Sequence, residues 1–350
     1  MGLLESIRGV LWARRRAPEN VRYWVSLAHE RFQPADLVQQ AVAAEQAGFD
    51  GIFCSDHLEP WWAPNAPTPA GCGNAWVWLG AVGNATKRAT IGTAVTGVVH
   101  RYNPVVLAQQ IATLENLNPG RVVIGVGTSE AMNEIPAGAE WPSTGDQLRR
   151  AEEALTIVTR LLDGETVTYD GDFFHAKNAR LYVQMQQRPP VILSAFNEQA
   201  AELAGRLADG LWTLGDPHKA PKVIAAYRRG AERAGREPGE IVLQTLASWA
   251  PTDDEALESS REWKGTLVDA HYTDPIADPA EIGRNGEELS DAKFKAMTSV
   301  SSDPETHVKK IKLLEKMGAT AVCVMDCAGP HAHDTLRVYG EQVLPELRKD

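Results

Sequence analysis

Residues 55 to 62 read SDHLEPWW. The imidazole of His57 stands beside the carboxylate of Asp56, and the indole of Trp61 follows within one short loop. Histidine changes charge near neutral pH and can take a proton from an alcohol. An adjacent acid fixes its tautomer or meets a cofactor group, and an indole supplies a rigid wall that excludes water. Polar residues gather at three more junctions. Glu30 follows His29 in LAHERF, Thr93, Ala94, Val95 and Thr96 close an apolar run, and GTSEAMNE carries Thr128, Ser129, Glu130 and Asn133. In a closed pocket, desolvation raises the pKa of a residue such as Glu130 and lets it act as an acid. Read singly, each residue also has a structural reading. A lone histidine after a strand is commonly just hydrogen-bonded, Glu30 suits a solvated loop, Glu130 suits the start of a short helix, and GVG is a weak glycine signal. Four consecutive junctions loaded in this way point to a functional rim. The sequence carries no metal-ligand cluster and no nucleophile elbow.

Those junctions need elements to position them. VRYWVSL (21–27), GIFCS (51–55), ATIGTAV (89–95) and RVVIGVG (121–127) read as strands. The last is nearly continuous in apolar character, as expected of a parallel strand covered on both faces. Between them, 33–49, 74–86 and 103–117 have helical spacing, with Gly48 ending the first and Pro104 in the first turn of the third. The alternation continues through the helix 144–164, strands at 189–196, 209–214, 241–251 and 320–326, and helices at 197–208, 217–235, 304–319 and 334–349. The segment 166–183 reads as a hairpin turning at Asp170-Gly171. Residues 254–300 read as irregular helix. The expected fold is therefore a (β/α)8 TIM barrel over 21–350, with insertions near 163–188 and 254–300 and a helical extension at 1–20. An open doubly wound sheet with a second domain is the alternative, but no dinucleotide fingerprint follows the first strand.

The chain has 350 residues, 43% of them hydrophobic, which suffices for one large α/β barrel. Its net charge of −11 argues against non-specific binding to nucleic acid or anionic membranes. No run approaches the length of a membrane span. At the N-terminus the apolar segment precedes Arg14, Arg15 and Arg16, the reverse of a secretory signal. Cys54 and Cys323 lie in apolar runs and read as buried thiols, and Cys323 and Cys327 have no second pair to complete a zinc set. The expectation is a reducing, cytoplasmic setting and a small-molecule substrate.

Beyond these readings, AHERF, SDHLEPW, GTAVTGVVHRYNP, NPGRVVIGVGTSEAMNE and YDGDFF resemble the coenzyme F420-dependent oxidoreductases of the bacterial luciferase-like superfamily. The resemblance runs from about residue 22 to the C-terminus. It is strongest to the branch holding glucose-6-phosphate, hydroxymycolic acid and secondary alcohol dehydrogenases, and GNAWVWLGAV and EAMNEIPAGAEWPS look most like the last. It implies a (β/α)8 barrel, a homodimer, and hydride transfer to C5 of a deazaflavin. His57 would be the base for the substrate hydroxyl, Trp61 would flank the reacting centre, Glu130 would serve the ring as proton donor or charge stabiliser, and Glu30 would be a further active-site acid. The implied cofactor contacts are Asp56, Ala94, Val95, Thr96, Thr128, Ser129, Glu130, Asn133 and Ala195, with a non-prolyl cis peptide between Ala94 and Val95 under the ring.

The chain also departs from that pattern. Where sugar-phosphate enzymes carry a threonine, lysine and arginine clamp, it has Leu214, Pro217, Asp269 and Met297, with Lys219 and Lys295 nearby. Phe196-Asn197 replaces a Gly-Gly turn at the cofactor tail. The leading expectation is an F420-dependent dehydrogenase or reductase of a non-phosphorylated alcohol or ketone. The alternatives are a sugar-phosphate dehydrogenase with a rebuilt phosphate site, an FMN-dependent monooxygenase, and a non-catalytic cofactor-binding barrel.

Overall fold

A computed structural model describes residues 20–63 and 71–349, so the extension expected at 1–20 lies almost wholly outside the described residues. The first half alternates β1 (Arg22–Leu27), α1 (Pro34–Ala47), β2 (Gly51–Cys54), α2 (Ala75–Ala85), β3 (Thr90–Thr93), β4 (Thr96–Gly97), α3 (Pro104–Leu117) and β5 (Ile124–Gly127). Then come α4 (Ala131–Glu134), α5 (Thr144–Leu162), the hairpin β6 (Val167–Asp170) and β7 (His175–Ala179), β8 (Val191–Ser194), α6 (Glu198–Leu207), β9 (Gly210–Leu214), α7 (Ala220–Arg233) and β10 (Glu240–Ser248). An insertion holds α8 (Asp253–Ser260), two 3-10 turns (Arg261–Leu267 and Asp269–Tyr272), α9 (Pro279–Glu287) and α10 (Asp291–Met297). The chain ends with β11 (Ser299–Val300), α11 (Pro304–Lys316), β12 (Ala321–Asp326), α12 (Ala332–Val338), a π turn (Tyr339–Val343) and α13 (Leu344–Leu347).

Local chemistry sets the helix starts. Asn74, Asn103, Ser143 and Asn197 each accept a hydrogen bond from a first-turn amide, and Thr252 with Glu255 forms a capping box. Among the described residues, no helix is long and apolar enough to cross a membrane. All four cysteines are free thiols, and Cys54, Cys323 and Cys327 are buried.

The strands run in the order β3-β2-β1-β12-β10-β9-β8-β5-β4, and every pair along this path is parallel. β3 and β4 are one run of chain interrupted at Ala94-Val95, whose peptide bond is cis. The ring closes where Ile91 bridges Val122, with Ile91 N–H donating to Arg121 and Val123 N–H to Ile91. This closed parallel barrel excludes the doubly wound alternative.

The barrel interior is filled by Trp24, Phe53, Val123, Ile192, Trp212, Val242, Ala321 and Cys323. Trp24 stacks on Phe53 at 4.5 Å between ring centroids. Outward-facing strand residues pack against the helices in a second, larger core. Closure at β3 and β5 depends on glycine. A Cβ on Gly92 would stand 1.6 Å from the Val123 carbonyl oxygen, and one on Gly125 would stand 2.4 Å from that of Thr93.

One turn differs from expectation. Asp170 still pairs with His175, and the turn is Gly171–Phe174, with Gly171 N–H donating to the Phe174 carbonyl at 3.1 Å. The cause is Glu153 on α5. Its carboxylate accepts from the amides of Asp172, Phe173 and Phe174 at 2.8 to 3.0 Å, which fixes a four-residue loop.

Candidate active site

The C-terminal ends of the barrel strands open into a cavity of about 320 Å³. The end of β1 supplies Glu30, the end of β2 supplies Ser55, His57 and Trp61, and the β3–β4 interruption supplies Ala94 and Val95. The end of β5 adds Thr128, Ser129 and Glu130, and the end of β8 adds Ala195. Trp212, Leu246 and Met325 form the apolar floor. Gln244 stands among them and accepts from the Trp212 indole at 2.8 Å. The insertion after β10 forms the far wall with Trp263, Thr266, Asp269 and Tyr272.

His57 lies between two acids. Its Nδ1 is 3.7 Å from Glu30 Oε1, and its Nε2 is 3.9 Å from Glu130 Oε2. Its ring lies 5.2 Å from that of Trp61, centroid to centroid. Burial sets the protonation of all three groups. It pushes Glu30 and Glu130 up to about 7 and presses His57 down to about 3. At neutral pH the imidazole is uncharged and free to accept a proton. The flanking carboxyl groups hold their protons more tightly than an ordinary carboxyl does, for the same reason. Next to Glu30, His29 is fully buried and pressed down to about 4 by the same cause.

Of the residues singled out from sequence, His57, Trp61, Glu30, Glu130, Ala94, Val95, Thr128, Ser129 and Ala195 line the cavity together. Asp56, Thr96 and Asn133, expected from the resemblance as cofactor contacts, do not line it in this structure. All three are buried one layer behind the wall. Asp56 accepts from the Tyr102 hydroxyl at 3.2 Å and lies beside Arg101. Asn133 accepts from the Leu58 amide at 2.7 Å and donates to Glu130 Oε2 at 2.9 Å. Pro217 and Met297 also stand away from the cavity, and so does Lys295, whereas Leu214, Asp269 and Lys219 line it.

Sequence reasoning missed Arg101 and the wall residues Trp263, Thr266 and Tyr272. Arg101 is a basic residue amid the apolar run GTAVTGVVHRY, and that isolation was its available signal. The wall residues lie in short helical turns that have no clear period.

The cavity suits a flat, partly polar ring. Val95, Ala94 and Gly127 give a small apolar surface, and Ser129 lines it with a buried hydroxyl that has no partner among the described residues. Among the described residues no group of three or more His, Cys, Asp or Glu side chains can hold a metal ion.

A family model for luciferase-like monooxygenases matches residues 13–321. The chain is 38% identical over 334 residues to an F420-dependent glucose-6-phosphate dehydrogenase of Microbacterium testaceum, covering 94% of this chain and 98% of that one. It is 36% identical over 338 residues to the enzyme of the same name from Nakamurella multipartita, covering 95% and 98%. An F420-dependent secondary alcohol dehydrogenase, solved in complex with an F420-acetone adduct, superposes with a TM-score of 0.89 at 31% identity, covering 94% of this chain and all of that one.

Proposed function

This chain belongs to the luciferase-like monooxygenase family as an F420-dependent oxidoreductase, and from that premise we propose that its substrate is a non-phosphorylated secondary alcohol or the corresponding ketone. Coenzyme F420, when bound, supplies a deazaflavin whose C5 takes hydride from the carbinol carbon or returns it to the carbonyl. Ala94, Val95, Thr128, Ser129 and Ala195 would hold it, since they line the cavity beside His57. His57 takes the hydroxyl proton as hydride leaves the carbinol carbon, and it gives the proton back in the reverse direction. Glu30 and Glu130 flank the imidazolium that forms and stabilise its charge. Trp61 packs against His57 and keeps water from the reacting centre.

The observation that carries the substrate class is an ion pair. Among the described residues Lys219 is the one cation lining the cavity, and its Nζ donates to both oxygens of Asp269 at 2.6 and 2.9 Å. A phosphate dianion needs cationic donors free to meet it. Here the one donor already faces Asp269 in a pair open to solvent, and Trp61, Trp263 and Tyr272 give the surrounding wall an aromatic character. The identity to glucose-6-phosphate dehydrogenases favours a second reading, in which phosphate displaces Asp269 from Lys219. Steady-state kinetics of F420 reduction with propan-2-ol, longer secondary alcohols and glucose-6-phosphate separates the two. We expect the higher kcat/KM with an alcohol, and a higher value with the sugar phosphate would overturn the assignment.

A further inference from the structure

His57 is gripped through the peptide groups on both sides of it. The carbonyl before it, that of Asp56, accepts from Arg101 Nη2 at 2.7 Å. The amide after it, that of Leu58, donates to Asn133 Oδ1, and Asn133 in turn holds Glu130. Arg101 is the hub of this arrangement. Its backbone N–H and its Nε both donate to the Glu134 carboxylate at 3.1 Å, and its Nη1 stands 3.9 Å from Asp56 Oδ1. Its side chain is 14% exposed and that of Glu134 is fully buried. A guanidinium has donors on three nitrogens fixed in one plane, so one group spans Glu134 on one side and Asp56 on the other; a lysine ammonium has its donors on a single atom and lacks that span.

We propose that Arg101 is a positioning residue for the reaction: it fixes the His57 base through the Asp56 carbonyl and places a permanent positive charge behind His57 and Glu130. This rests on the reading of His57 as the base given above. Arg101 does not line the cavity, so it acts through its neighbours and not on the substrate. The titratable and charged groups around His57 and Glu130 are His29 and Glu30 after β1, Asp56 in the same loop, Arg101 and Tyr102 before α3, Glu134 on α4, and Tyr272 with Asp269 in the insertion. After burial, the positive field of Arg101 is a further influence on His57 and on Glu130, and it lowers the proton affinity of both.

The test compares Arg101→Lys, Arg101→Gln and His57→Ala in the full chain. It measures F420 binding by quenching of protein fluorescence, and kcat, KM and the pH profile with propan-2-ol. Arg101→Lys keeps the charge and loses the fork. Its kcat is expected to fall about 100-fold, as a small misplacement of a reacting group does, while KM, F420 affinity and the acidic limb of the profile stay in place. Arg101→Gln also loses the charge, so its acidic limb should move up by about one pH unit. Should that variant be insoluble, the kcat of Arg101→Lys decides alone. Wild-type kcat in Arg101→Lys, or an acidic limb unmoved once the charge is gone, would sink the proposal. Full activity in His57→Ala would instead refute the base assignment, whereas an inactive His57→Ala beside unimpaired Arg101 variants refutes only the role of Arg101.

Discussion

Glu130 shows what one buried carboxyl does to the whole chain. Its folded pKa of about 7 lies above the ordinary 4.5. Its contribution to stability is therefore complete below about pH 4.5 and is lost as pH rises to 7. His29 and His57 act in the opposite sense: their pKa values are depressed to about 4 and 3, so their contribution is complete above the ordinary 6.5 and is lost as pH falls through those values. The two slopes offset each other in the wild type between pH 4.5 and 6.5, so the effect of Glu130 emerges by difference. Glu130→Gln is expected to melt with the wild type near pH 4.5 and at least about 2–4 °C above it at pH 8. Equal melting temperatures at pH 8 would show that the carboxylate is solvated. That Glu30, His57, Trp61 and Glu130 share one cavity was legible in the sequence because each follows a strand. The sequence did not separate wall from backing, because Asp56 and His57 are adjacent and point to different layers.

At the scale of elements, the barrel closes through a contact that no local pattern announces. The run 89–95 reads as one strand because its residues are small or β-branched. The break at Ala94-Val95 lies where Gly125 of β5 comes up against Thr93 and Val95, and from sequence it could be expected only through family likeness. Gly92→Ala puts a methyl group into the Val123 carbonyl, a backbone atom that cannot move aside without reopening the ring. We expect a loss of about 4 kcal/mol or more, or insoluble protein, by chemical denaturation. A variant within 1 kcal/mol of wild type would mean that β3 and β5 are less tightly apposed. The hairpin gives the same lesson from another direction. Asp-Gly signals a two-residue turn, and Glu153 overrides it with three hydrogen bonds from another element. The alternation of strands and helices was legible where burial on both faces leaves continuous apolar strands, but the two-residue β11 at Ser299–Val300 was hidden in the segment read as irregular helix, because two residues show no period.

At the scale of the whole molecule, α2 and α3 turn an apolar face outward. Val77 is 77% exposed and Leu117 66%, beside a groove lined by Trp76, Gly80, Gln110 and Leu114. A two-fold interface uses the same patch on both partners, so a ridge on one copy would have to seat in the groove of the other. We expect a homodimer through this face, with Val77→Asp combined with Leu117→Asp giving the monomer mass in sedimentation equilibrium; a monomeric wild type would refute it. The insertion after β10 has a different consequence. The residues proposed to handle the proton come from the ends of β1, β2 and β5, all before residue 135, while the far wall comes from residues 261–273. On the proposed roles, the groups that would move the proton and most of the wall that would meet the substrate's far end thus lie on separate stretches of chain. The wall grows from one gap between neighbouring strands, so a lineage could exchange that segment as a cassette and change its diet without rewriting its chemistry.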